Sequence, residues 1–232
     1  MPDCSACSVL TYIEYLRQID GYPYENFSVI YQYYMARVLE CIEGEIQGIY
    51  LEDSMKNLVI NGVLEPTKVP IDRVTINNKP TDSEIKRARE RIILDNVTIY
   101  NLENNLDVFK YVLTVMGVPF VMSFTSPIEK LRSPSKEIMK IQEGDVNDGH
   151  HAVCVVGYDD EEQVLIFQNS YGPEWKYDGF GKLHYSCIPN IRKAIALNKS
   201  CIKADGFFEL HVDDYMFIAD NLIKSIDVES NI

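Results

Sequence analysis

The sequence predicts an α+β fold, with a helical first part and a strand-rich second part. Two observations carry this. Up to about residue 95 the apolar residues recur at helical spacing, and after it they fall into short β runs. The boundary implies a helical subdomain over 1–95 and a β-rich subdomain over 96–232, packed with a cleft between them. At 232 residues the chain is long enough to bury a sizeable core.

The first helix is predicted from Cys4 to about Gln18. Ala6, Val9, Leu10, Ile13 and Leu16 form its apolar stripe, with Asp3 as N-cap and Gly21-Tyr22-Pro23 as the stop. A second helix is predicted over Ser28–Ile42, and a third over Leu51–Ile60 ends at Asn61-Gly62. Three prolines between Glu65 and Pro80 predict an extended loop. Asp82-Ser83 caps a short charged helix from Glu84 to Leu94. In the second part, Val97–Tyr100 reads as a strand, Leu106–Met116 as a helix and Val118–Phe124 as a buried strand. Ser126–Asp148 is polar and reads as a long loop. Strands are expected at Ala152–Tyr158, Val164–Gln168, Gly181–Tyr185 and Phe207–Val212, and one more helix after Asp213.

Composition narrows the function classes. Hydrophobic residues at 46% and charged residues at 25% are ordinary for a globular protein. With 22 basic and 35 acidic residues, the net charge of −13 argues against nucleic acid or an anionic membrane as partner. Such a charge chiefly means solubility, and it also suits cationic substrates. No apolar run is long enough to span a bilayer, and Met1-Pro2-Asp3-Cys4 shows no signal peptide. The six cysteines, Cys4, Cys7, Cys41, Cys154, Cys187 and Cys201, do not make a disulfide framework, so a reducing compartment is expected and no bridge should be needed for folding.

Three residue types at three places carry chemistry. Cys4 heads a helix, where backbone N–H groups and the helix dipole lower a thiol's pKa; Cys7 lies one turn further in. Either cysteine taken alone fits a small buried side chain. A redox Cys-x-x-Cys of the thioredoxin kind needs a strand leading into it, and only three residues precede Cys4. A zinc site needs a second ligand pair, which the adjacent His150-His151 do not supply. A histidine at the start of an apolar strand, His151 or its neighbour His150, can exchange a proton with a thiol. Asn169, 18 residues past His151 at the end of a second strand, can orient the imidazole through its side-chain oxygen.

The order Cys…His…Asn resembles that of papain-like cysteine peptidases. His151-Ala152-Val153 through Val156-Gly157-Tyr158, then Asn169-Ser170-Tyr171-Gly172 with Trp175, then Gly179-Phe180, is similar to that family's base-bearing segments. The family's Ile-Glu pair lies ten residues past its nucleophile; Ile13-Glu14 ends ten past Cys4 and seven past Cys7, which favours Cys4. Ala6 and Ser8 match in the same register, which also resembles the microbial and viral branch, as do Tyr33-Tyr34, Arg37 and Leu39-Glu40. The resemblance implies a papain-like fold whose β-rich part is a barrel-like antiparallel sheet. It implies Cys4 as nucleophile and oxyanion donor through its backbone N–H, His151 as base and Asn169 as orienter. Tyr171 and Trp175 would be the rings shielding the His–Asn pair. It implies a protein or peptide substrate, no cofactor and no metal, and leaves the oligomeric state open. The compartment stays unknown from the sequence; with no signal peptide or transmembrane segment visible, an intracellular or virion-associated setting is favoured over secretion.

One departure bears on rate. The family's oxyanion-hole Gln stands six residues before the nucleophile and has no counterpart among the three residues before Cys4. Three expectations follow: a trimmed N-terminus, a substitute donor, or weak hydrolysis. Two further readings keep the fold and change the role. One is a catalytically weak homologue serving as a structural or binding module. The other is an amide-transfer or isopeptide hydrolase.

Overall fold

The computed structural model describes residues 2–42, 44–66, 68–91 and 97–198. Three helices come first: α1 (Cys4–Ile19), α2 (Val29–Leu39) and α3 (Leu51–Asn61). Each follows the sequence expectation within a few residues. The Ser28 side chain caps α2 by accepting from the Tyr31 N–H. Asp3 stands at the N-cap of α1, but its side chain makes no cap bond. Helix α4 (Asp82–Glu90) starts two residues earlier than expected, held by a reciprocal capping box between Thr81 and Glu84. The described residues between 65 and 81 are mostly irregular, with one 3₁₀ turn at Thr75–Asn77.

The second part forms one six-stranded antiparallel sheet in the order β1-β6-β2-β3-β4-β5. Its strands are β1 (Ile99–Asn101), β2 (Phe120–Ser126), β3 (Gly149–Asp159), β4 (Val164–Gln168), β5 (Phe180–His184) and β6 (Ile191–Leu197). Helix α5 (Leu106–Tyr111) runs on as a π-helical turn over Val112–Met116 and stops at Gly117 with φ 66°. The expected long loop from Ser126 to Asp148 contains a short helix, α6 (Ile128–Arg132). Strand β6 was not expected: Arg192 and Lys193 mask its start, and alanine is a weak strand former. The predicted strand Phe207–Val212 and the predicted tail helix lie outside the described residues.

Strand β2 is buried on both faces apart from half-buried Ser123, and so is the Ala152–Val155 stretch of β3. Helix α1 lies against β3 and β2, and Val9, Leu10, Tyr12, Ile13 and Leu16 share one core with Phe120, Phe124, Val153 and Phe167. The Tyr12 hydroxyl accepts from the Leu197 N–H at 2.6 Å, tying α1 to β6. A second, smaller cluster holds the outer wall together around Arg37. This fully buried guanidinium donates to the Glu45 and Ile76 carbonyls and to Asn77 Oδ1, and lies 4.2 Å from the Tyr33 ring. The docking of α1 against β3 sets the head of the helix beside the start of the strand.

Candidate active site

Period-two alternation decides between the two histidines. His151 pairs with Phe124 and is 5% exposed, whereas His150 pairs with Thr125 and points to solvent. The strand begins tightly at Gly149, where a Cβ would lie 2.7 Å from both Leu131 Cδ1 and the Ser126 carbonyl oxygen. No side chain fits there without shifting β2 or α6.

His151 Nε2 lies 2.7 Å from Asn169 Oδ1. The same oxygen accepts the Ser170 N–H at 2.8 Å, which fixes the amide with its oxygen toward the ring. Nε2 is then the protonated nitrogen, and Nδ1 keeps the lone pair of a base. Antiparallel pairing of β4 with β3 sets Cys154 opposite Gln168, and the chain leaves the sheet at Asn169. The Asn169 N–H donates to the Gly179 carbonyl at 2.9 Å, closing the loop that follows.

That loop packs rings over the pair. Tyr171 lies 5.2 Å from the His151 ring, Trp175 meets Tyr171 edge-on at 5.7 Å, and Phe124 meets His151 edge-on from below at 6.2 Å. Trp175 is nearly buried, while Tyr171 is 41% exposed, so the tyrosine covers the ring less completely than a fully seated side chain would. Gly181 makes room for this stack: a Cβ there would stand 2.3 Å from the Phe167 ring and 2.8 Å from Trp175.

Cys4 reaches this place from α1. Its half-buried thiol is met by the backbone N–H of Ala152, the residue after His151. Burial nevertheless pushes the Cys4 thiol up from its ordinary value, outweighing the N–H groups of Ala152, Ser5 and Cys4 itself, and the Asp3 carboxylate adds to the rise. The expectation of a thiol acidified by the helix head is thus met by the backbone groups and reversed by burial. Burial likewise pushes His151 below its ordinary value, against the bond to Asn169 and the Asp3 charge, which pull it up. Both shifts favour the uncharged forms, thiol and imidazole.

Asp3 is the residue that sequence reasoning took only for a cap. Its Oδ2 lies 3.9 Å from the Cys7 sulfur, and its charge bears on Cys4, His151 and Tyr171. The signal that could have found it is its place next to Cys4 in a chain whose helix starts at residue 4. Phe124 gave no signal of its own, since only the β2–β3 register puts it against His151. Among the described residues, no group of three His, Cys, Asp or Glu is arranged to hold a metal, and no helix is long and apolar enough to cross a membrane.

The site thus holds a helix-borne thiol next to the Ala152 N–H, and a strand-borne imidazole hydrogen-bonded to an amide oxygen. The sequence model of the papain family cysteine protease matches residues 37–198, and the chain belongs to that family. The match begins after α1, so it covers His151 and Asn169 but not Cys4. An uncharacterized peptidase C1-like protein of Acanthamoeba polyphaga mimivirus is 22% identical over 171 residues, 69% of this chain and 54% of that protein. The chain thus spans about half the length of the curated relative it matches. Among solved structures, xylellain, a cysteine protease from Xylella fastidiosa, superposes with a TM-score of 0.72 at 26% identity over 84% of this chain and 77% of that one. Digestive procathepsin L 3 of the Tenebrio molitor larval midgut shares the fold, with a TM-score of 0.65 at 15% identity over 84% and 63% of the two chains.

Proposed function

We propose that the protein is a peptide-bond hydrolase in which Cys4 is the nucleophile, His151 the general base and Asn169 the group that orients the imidazole. The observation that carries the reading is the 2.7 Å contact between His151 Nε2 and Asn169 Oδ1, buried at the strand start beside the Cys4 helix. Nδ1 of His151 takes the thiol proton as the sulfur attacks the substrate carbonyl carbon. The imidazolium then returns the proton to the leaving amine. An acyl-thioester on Cys4 remains, and a water activated by His151 hydrolyses it.

The Cys4 N–H, at the first position of α1, has no carbonyl four residues earlier within the helix and is the donor the helix offers to the oxyanion. Burial raises the Cys4 thiol and lowers the His151 imidazole, while the N–H groups around the sulfur and the Asn169 oxygen oppose those shifts. Tyr171 and Trp175 keep water off the His–Asn bond. The net charge of −13 favours substrates with basic residues near the scissile bond.

The test is a pair of substitutions assayed on a fluorogenic peptide. His151→Ala abolishes turnover, and His150→Ala, on the solvent side of the strand, leaves it substantially intact. Equal losses from the two changes would contradict the assignment.

A further inference from the structure

We propose that Cys4 and Cys7 form a reversible redox pair, in which Cys7 resolves an oxidised Cys4 into an intrahelical disulfide that switches off the thiol and shields it from irreversible oxidation. The proposal rests on the reading of Cys4 as nucleophile.

The geometry is that of neighbours one turn apart. Both cysteines lie in α1, three residues from each other, and both are free and half-buried. Residues at this spacing have Cβ atoms about 5–6 Å apart, and a disulfide draws them to about 3.5–4.5 Å. The missing distance of roughly 1–2 Å must come from the backbone. The first turn of a helix is where the backbone gives most easily, because its N–H groups have no intrahelical acceptors. Here no side chain caps it: Asp3 makes no bond to a backbone N–H of the helix head. That turn is tied to the residue before it by the Cys7 N–H to the Asp3 carbonyl, 2.9 Å. Among the other described cysteines, Cys154 and Cys187 are buried within the sheet region and Cys41 lies beyond α2, so none shares a turn with Cys4.

Asp3 gives the two sulfurs different parts. Its Oδ2 faces the Cys7 sulfur at 3.9 Å and holds that thiol protonated at rest. Burial, followed by the Asp3 charge, raises Cys7 well above its ordinary value, whereas the Cys4 thiol is also met by the N–H groups of Ala152 and Ser5 and lies beside a base. A peroxide therefore meets Cys4 as the reactive sulfur. The Cys4 sulfur attacks one peroxide oxygen, the O–O bond breaks, and the sulfenic acid and one water form. The Cys7 sulfur then attacks the Cys4 sulfur, the S–O bond breaks, and hydroxide leaves as water with the Cys7 proton, which Asp3 is placed to pass on. Two thiols are oxidised to one disulfide, and one hydrogen peroxide is reduced to two waters. Two equivalents of a small thiol reverse it.

The experiment compares the unmodified protein with Cys7→Ala and Cys7→Ser under hydrogen peroxide. Turnover is followed before oxidation, after it and after dithiothreitol. The tryptic peptide ending at Arg17, which holds both cysteines, is weighed at each stage. In the unmodified protein this peptide becomes lighter by two hydrogen atoms and resists iodoacetamide, and dithiothreitol restores both alkylation and full turnover. Either Cys7 variant starts with unchanged turnover, then gains two or three oxygen atoms on Cys4 and does not recover. Over-oxidation of Cys4 as fast in the unmodified protein as in the variants, or a bridge from Cys4 to Cys41, would overturn the proposal. If the Cys4–Cys7 bridge forms and reverses while turnover is indifferent to it, the pair stands as chemistry, but its role as a switch falls, and with it the reading of Cys4 as nucleophile.

Discussion

Asn169→Ala removes the amide oxygen that lies 2.7 Å from His151 Nε2. Imidazole and amide are 5% and 8% exposed, so water has little access to replace the lost acceptor. A buried N–H left without a partner costs about 1–3 kcal/mol. If the imidazole needs that bond to hold its transition-state orientation, kcat/KM falls about 5- to 150-fold. The same change has an electrostatic sign. Burial pushes His151 down and the Asn169 bond pulls it back up, so without the bond its pKa falls further below the ordinary 6.5. The base must be neutral to act, so activity is lost as pH falls through this pKa. Asn169→Ala should therefore lower the plateau and move the acid limb to lower pH. Asn169→Asp, which puts a carboxylate at the same spot, should move the limb to higher pH. The assay is kcat/KM against pH for the three proteins. A full plateau in Asn169→Ala, or limbs that move together in the two variants, would refute the roles given to this pair.

Two further outcomes follow from particular contacts. Burial raises Glu14 to about 7, against a bond from the Phe27 N–H, so its stabilising protonation is complete at acid pH and is lost as pH rises through about 7. Glu14→Gln should then leave stability unchanged well below that pH and raise it by about 1–2 kcal/mol above it, after allowing for solvent screening of a half-buried group; urea denaturation at two pH values reads this directly. Gly181→Ala forces a methyl into the Phe167 and Trp175 rings, at 2.3 and 2.8 Å, and should cost about 1–3 kcal/mol of stability. It should also lower turnover, since Trp175 supports the tyrosine over His151, and a variant with unimpaired stability and turnover would contradict the packing described.

The parts of this fold legible in the sequence are those with strong period or punctuation. The stripe Val9, Leu10, Ile13, Leu16 has one helical solution, and the run Ala152–Val156 is long enough and β-branched enough to be a strand. His151 and Asn169 were legible because they sit at strand ends, where residue spacing and the motif around each agree. What was not legible depends on pairing. Strand β6 pairs with both β1 and β2, yet its Arg192-Lys193-Ala194 start has no strand signature of its own. Helix α6 is a single short turn in a polar stretch, below the length at which periodicity speaks. The direction of the Cys4 shift also lay beyond the sequence, because the helix head was visible there and the burial imposed by β3 was not.

The central claim is that Cys4, and no other cysteine, is the thiol that His151 activates. Labelling the native protein with a thiol-directed epoxide, then fragmenting the peptide that ends at Arg17, separates Cys4 from Cys7 within one chain segment. The account predicts the adduct on Cys4, its loss in Cys4→Ala and in His151→Ala, and its persistence in Cys7→Ala, each in a protein that still folds. An adduct on Cys7, or labelling of Cys4 at an unchanged rate without His151, would contradict it.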